Sequence, residues 1–473
     1  MLILSNISIV FTYFWKNYLY HYVVSIIDMN IRIRPNNRKS NSDSFILCPD
    51  GHKNVRGLDD CATCDSPLIN FQQELKFIID MFTNQNLTKS KKIINLGIGL
   101  YGSQTIFNLS THTYQSSSNY LVLGSSKSDL ESFSDIKNNN VESNNGIFKF
   151  DLNISNEINL WSGIGSNLSE NKQLDDHIRR VGINENIQDQ TVILTGLLGE
   201  PLVSAITPYV LRKIQSINQG TSRIIFSVLP STTDTDQIQF NAYCGLSRII
   251  KSQKASGDIL VVLQGNALEK MIGIDRSGKT LNSDVLVPRM LNLISEHGTT
   301  INNLSRIAKS LKVLAFSPVY VYGRSYEIYD NIKNILDDAA YFPLSPFEFE
   351  SIILSIAIIR VPETVLQNIS SKRIEDDYNS WNRKRFPALK ESLLHIVPVR
   401  ETSDRMDVLL LLGGAKLENI IKPLQNGYDS FKSYIHDMEL WDEFNITEDD
   451  LKKLENTFVI YDKNLNKLLR TRS

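Results

Sequence analysis

The chain has 473 residues, which as a prior allows roughly three domains of about 150 residues each. A hydrophobic share of 42% is enough for a sizeable core. The 50 Lys and Arg nearly balance the 52 Asp and Glu, for a formal net charge of −2, so no basic excess points to nucleic acid or a membrane surface. Of the four cysteines, Cys48, Cys61 and Cys64 lie close together, which is not a disulfide framework and points to a reducing, cytoplasmic compartment.

Residues 1–28 are apolar and aromatic, with Lys16 in the middle. They lack the basic start and small-residue cleavage site of a signal peptide. The run before Lys16 is shorter than the roughly 20 residues that span a bilayer. The expectation is an upstream extension, with the working protein starting near Met29; membrane contact through residues 1–28 is the alternative. RIRPNNRKSNSDS, from Arg32, is polar and aperiodic and reads as a linker, so residues 1–44 form leader and linker.

Residues 45–68 carry CPDGHKNVRGLDDCATC, spaced Cys48-x3-His52-x8-Cys61-x2-Cys64. Four soft or borderline ligands at this spacing suit a tetrahedral zinc ion, and so short a segment would take its folding energy from the metal. The segment resembles a zinc ribbon whose first knuckle reads CPxGH and whose second reads CxxC before Pro-Leu. No coordination position is left open, so the implied role is structural or docking. In residues 69–92 a connecting helix is expected: with Leu68, the residues Phe71, Leu75, Ile78, Ile79 and Phe82 fall at helical spacing.

From Ile93 onward the chain reads as an α/β fold. KKIINLGIG, NYLVLGSS, QTVILTGLLG, SRIIFSVLP and GDILVVLQG are short apolar runs with helical patterns between several of them, which predicts crossovers and a mostly parallel sheet. This nucleotide-binding-type domain is expected over residues 93–298, including a long central helix. A smaller second α/β domain, residues 299–415, is built around KVLAFSPV, ESIILSIAIIR, LLHIVPVR and MDVLLLLGG, and a helical tail occupies residues 416–473. Cys244 falls at helical spacing in AYCGL and reads as a small buried residue. There is no internal repeat, no GxSxG, no HExxH and no Walker loop.

The stretch INLGIGLYGSQT ends a strand in three glycines, Gly97, Gly99 and Gly102, followed by Ser103 and Gln104. Glycines there free backbone N–H groups to approach a phosphate at the start of the next helix. A plain tight turn is the bland alternative. The spacing also fits a dinucleotide loop, which needs an acid about twenty residues on. The nearest, Asp129, lies past a Ser-rich turn, so a dinucleotide-dependent enzyme stays an alternative only.

The order of features resembles the tubulin/FtsZ/CetZ superfamily over roughly Ile93 to Gly414. NLGIGLYGSQ stands for the family's first glycine loop and GSSKSDL for its NTDxxxL-like turn, with Leu130 matching and Ser126 at the Asp position. SGIGSN stands for the next glycine loop. TGLLGEPLVSAITPYVL takes the place of the GGGTGTG signature and its helix, with Pro208 matching; Gly199, Glu200, Pro201, Leu202, Val203, Ser204 and Ala205 replace the signature residues. There Glu200 puts a carboxylate where phosphate oxygens are expected, and Pro201 removes an N–H donor. Near the base-contacting Asn, an ungapped match gives Gly265, with Asn266 one place late; SDVL gives Asp284 for the base-reading Asp of the central helix. The turn Gly298 to Asn302 follows. In FtsZ it continues as NxDxxD, whose acids position the attacking water; here Leu304 and Ile307 occupy those two places.

The resemblance implies nucleotide contacts at Gly97, Gly99, Gly102, Ser103, Gln104, Gly199, Asn266 and Asp284, with GTP or GDP as possible ligands. It implies no catalytic residue, and head-to-tail self-association or pairing with a related subunit; structural zinc on Cys48, His52, Cys61 and Cys64 is the separate expectation from their spacing and the zinc-ribbon resemblance. The function expected is cytoskeletal-type assembly or scaffolding with weak or no GTP hydrolysis. The alternative within the same family is an active GTPase with partner-supplied groups.

Overall fold

The computed structural model describes residues 46–47, 53–54, 62–63, 93–112, 118–124, 147–151, 191–204, 207–208, 210–211, 222–253, 258–271, 273–274, 280–281, 283–296, 307–442, 444 and 446–470. A short antiparallel pair, β1 (Ile46–Leu47) and β2 (Lys53–Asn54), comes first, with Leu47 opposite Lys53. This pair flanks the CPDGH stretch. Cys48, His52, Cys61 and Cys64, like the expected connecting helix, lie outside the described residues.

The main body is a mixed α/β structure on one ten-stranded sheet. Its first half contains β3 (Ile93–Ile98), β4 (Ser118–Gly124), β5 (Ile147–Asp151), β6 (Thr191–Leu197), β7 (Ser222–Leu229) and β8 (Ile259–Gln264). All are parallel, in the spatial order β8-β7-β6-β3-β4-β5. Strands β3, β6, β7 and β8 are buried along almost their whole length, as continuous apolar runs covered by helices on both faces imply. On one face Ile94, Leu96 and Ile98 join the core of helix α2 (Asp236–Gln253). On the other, Ile93 joins helix α1 (Gly99–His112) and the central helix α4 (Ser283–Glu296). Between them lie helix α3 (Gly265–Lys270) and the pair β9 (Gly273–Ile274) and β10 (Thr280–Leu281). At the foot of the sheet Arg223 and Asp258 form a buried ion pair, and Arg223 also donates to the Leu211 carbonyl at 2.8 Å.

The second half continues the same sheet. Strand β11 (Ala315–Ser325) runs parallel to β8 through only two residue pairs, Ala315 with Leu260 and Phe316 with Val261. Pro318, which has no N–H to give, ends that pairing. There the sheet opens and Leu344 bridges the gap: Gln264 N donates to Leu344 O at 2.7 Å, and Leu344 N donates to Pro318 O at 2.9 Å. Helices α5 (Tyr326–Tyr329) and α6 (Ile332–Ala340) follow, then β12 (Leu354–Pro362), α7 (Glu363–Asn368), α8 (Ser371–Arg385), β13 (Glu391–Val399) and β14 (Arg405–Gly413). The spatial order is β13-β12-β14-β11, with β14 antiparallel to both neighbours and β12 parallel to β13.

Helices α9 (Leu417–Ile421), α10 (Gln425–Asp437) and α11 (Glu448–Arg470) then turn back onto the first half. Leu424, Tyr428, Leu454 and Phe458 pack with α2. The rings of Tyr243 and Tyr428 stack at 3.9 Å between centroids. Cys244 is buried, as its apolar surroundings in the sequence imply. No helix among the described residues is long and apolar enough to cross a membrane.

Candidate functional site

The glycine loop joins β3 to α1, and two of its glycines are there for a geometric reason. Gly99 has φ of +74°, a left-handed conformation. At Gly102 a Cβ would sit 2.5 Å from the Thr195 carbonyl oxygen, so only glycine lets α1 lie this close to β6. Ser103 is buried and Gln104 exposed, so the two neighbours face different surroundings. The Ser103 hydroxyl has no hydrogen-bond partner among the described residues.

The turn after β6 supplies the other side of the site. Gly199 has φ of +111°. The Glu200 carbonyl accepts from Ser204 N at 3.2 Å, and Pro201 takes the first helical position, where a missing N–H costs nothing. This local geometry aims the Glu200 side chain at α1. Its two carboxylate oxygens accept from Leu100 N at 2.9 Å and Tyr101 N at 3.0 Å. These N–H groups open the helix and carry the positive end of its dipole. Burial, with Asp284 and Glu200 nearby, pushes the Tyr101 hydroxyl well above its ordinary range.

Asp284 sits in the first turn of α4. Its carbonyl has no N–H from the residue four positions on, because that residue is Pro288. Asn108 of α1 donates to it from Nδ2 at 3.1 Å. Tyr101, Asn108 and Asp284 therefore bring α1 and the central helix together beside the glycine loop. Asn266, on α3, bonds elsewhere. Its Oδ1 accepts from Thr232 N at 2.9 Å and from the Ser231 hydroxyl, and its Nδ2 donates to Thr232 Oγ1 at 3.0 Å. It clamps the turn between β7 and α2.

The N–H groups of Leu100 and Tyr101 are the donors that the start of α1 offers to an anion. Both already bond to a carboxylate, whose charge repels phosphate. A phosphate group bound at these two N–H groups would therefore compete with the Glu200 carboxylate for them. Asn108 and Tyr101 have no signal in the sequence as site residues; the one clue is Pro288, which takes away the i+4 donor of the Asp284 carbonyl. Ile307 opens the helical residues 307–311, while Leu304, the turn before it and SGIGSN lie outside the described residues. Among the described residues no cluster of His, Cys, Asp or Glu could hold a metal ion.

No protein-family model matches the sequence, and no curated relative matches it. Solved structures do match. CetZ from Methanosaeta thermophila strain DSM 6194 aligns with a TM-score of 0.54 at 12% identity, over 78% of this chain and 99% of that one. CetZ2 from Haloferax volcanii, a GTPγS-bound protofilament, aligns at 0.53 and 15%, over 72% of this chain and 99% of that one. CetZ1 from Haloferax volcanii, a GDP-bound monomer, aligns at 0.51 and 16%, with the same coverage of 72% and 99%. The chain therefore has the tubulin/FtsZ-like fold of the CetZ proteins, at very low sequence identity.

Proposed function

We propose that this chain is a self-associating, cytoskeletal-type subunit or scaffold that does not turn over GTP. One observation carries the reading: Leu304 and Ile307 stand where the resemblance calls for two water-orienting acids. An aliphatic side chain can neither orient water nor stabilise developing charge, and positioning with electrostatics supplies most of the rate in phosphoryl transfer. The fold supports assembly, since a relative with the same architecture forms a protofilament. Head-to-tail stacking is the mode proposed. Sedimentation and light scattering of the purified chain, with and without GTP or GDP, test it. The expected result is concentration-dependent association that neither nucleotide changes, with no phosphate released. Brisk phosphate release, or assembly that needs GTP, refutes it.

We further propose that Cys48, His52, Cys61 and Cys64 hold a structural zinc. The spacing Cys48-x3-His52-x8-Cys61-x2-Cys64 supports this, since two pairs of soft or borderline ligands suit tetrahedral zinc. Metal analysis of the purified chain should find one zinc, lost in a Cys61→Ser/Cys64→Ser variant.

A further inference from the structure

The fold implies a bound nucleotide at the glycine loop, yet the chain brings its own anion there. We propose that Glu200 is a tethered ligand of this loop, holding the α1 N-terminus closed with nothing else bound. The fit is two-pronged, one carboxylate oxygen on each of two successive N–H groups. Room for the carboxylate exists because residue 99 has no side chain: a Cβ there would lie 1.8 Å from Glu200 Oε2. The Glu200 backbone is itself fixed, its N donating to Leu197 O at 3.2 Å and its carbonyl accepting from Ser204 N at 3.2 Å. The side chain is thus presented from a rigid turn and is not drawn from a flexible surface loop.

The energetics favour the tethered group over a free one. Hydrogen bonds from N–H to a carboxylate are charge-assisted and stronger than neutral ones. A group fixed to the chain also acts at high effective concentration and loses no translational freedom on binding. A free phosphate would have to expel Glu200 and then sit beside its charge. The loop accordingly joins β3, β6 and α1 into one unit without an external ligand. This goes beyond the assembly reading and stands whether or not the chain self-associates.

Amide hydrogen exchange at Leu100 and Tyr101 tests it, read on the full chain at concentrations where it is monomeric. In the wild type both amides are protected. In Glu200→Ala both should exchange at least about tenfold faster, the loss of roughly one charge-assisted hydrogen bond. Inorganic phosphate should slow them again in that variant and leave the wild type unchanged. Should Glu200→Ala fail to fold, Glu200→Gln, which keeps one acceptor oxygen, should release one amide of the two. Equal exchange in wild type and variants overturns the proposal. So does phosphate that slows the wild-type amides, or that acts on neither protein.

Discussion

The side-chain amide of Asn108 donates at 3.1 Å to the carbonyl of Asp284, the acceptor that Pro288 leaves without its i+4 donor. One helix thereby repairs a defect in another, and α1 is tied to the central helix by the repair. Asn108→Ala removes this part-buried hydrogen bond, with an expected loss of about 1 kcal/mol in chemical denaturation. Pro288→Ala restores an N–H in α4 and makes Asn108 redundant. The cost of Asn108→Ala should therefore shrink in the Pro288→Ala background; equal costs in both backgrounds would refute the repair.

Asn266 is expected to act on stability through the β7–α2 turn. Its carboxamide engages Ser231 and Thr232 through both of its polar atoms. Asn266→Ala should lower stability by about 1–2 kcal/mol, and Thr232→Ala should not add its full effect on top. Thermal unfolding of the single and double variants measures this coupling, and full additivity would exclude the clamp.

The burial of Asp407 predicts a pH dependence of stability. The sheet irregularity between Val321 and Arg324 leaves the Gly323 N–H without a ladder partner, and Asp407 accepts it at 2.8 Å. Arg360, opposite Asp407 in the register, pairs with it at 3.2 Å. Burial outweighs these favourable contacts and pushes the carboxyl from 3.8 up to about 6. The folded state then binds a proton that the unfolded state releases, so this group adds stability as pH falls from 7 through 6. The gain is on the order of 3 kcal/mol when complete. His395 pulls the other way, because burial lowers its pKa from 6.5 and charging it costs stability as the pH falls. The difference between wild type and Asp407→Asn, followed by denaturant unfolding from pH 7 to pH 5, isolates Asp407. It should shift in favour of the wild type toward pH 5, and a flat difference would refute the assignment.

Much of the sheet was legible in the sequence, because strands buried on both faces are written as unbroken apolar runs. KKIINLGIG, QTVILTGLLG, SRIIFSVLP and MDVLLLLGG all became strands. Strand β5, in a segment of mixed polarity after the polar run KNNNVESNN, gave no such signal. The seam where β11 joins β8 was also hidden, since two residue pairs and a bridging Leu344 are set by tertiary contact alone. At the site, the carboxylate of Glu200 could be read as hostile to phosphate from its place in the chain. That it bonds the N–H groups of Leu100 and Tyr101 could not, because the partners lie about a hundred residues apart. The duty of Asn266 was equally hidden, as nothing local distinguishes an amide that meets a ligand from one that clamps a turn.

The return of α10 and α11 onto α2 bears on how a nascent chain matures. Tyr243 and its apolar neighbours on α2 are covered by Leu424, Tyr428, Leu454 and Phe458, some two hundred positions later. A ribosome will have delivered the whole parallel sheet before that cover exists, leaving a greasy flank wet throughout synthesis. Until the last helices emerge, that flank is the kind of transiently exposed apolar surface through which unfinished chains aggregate.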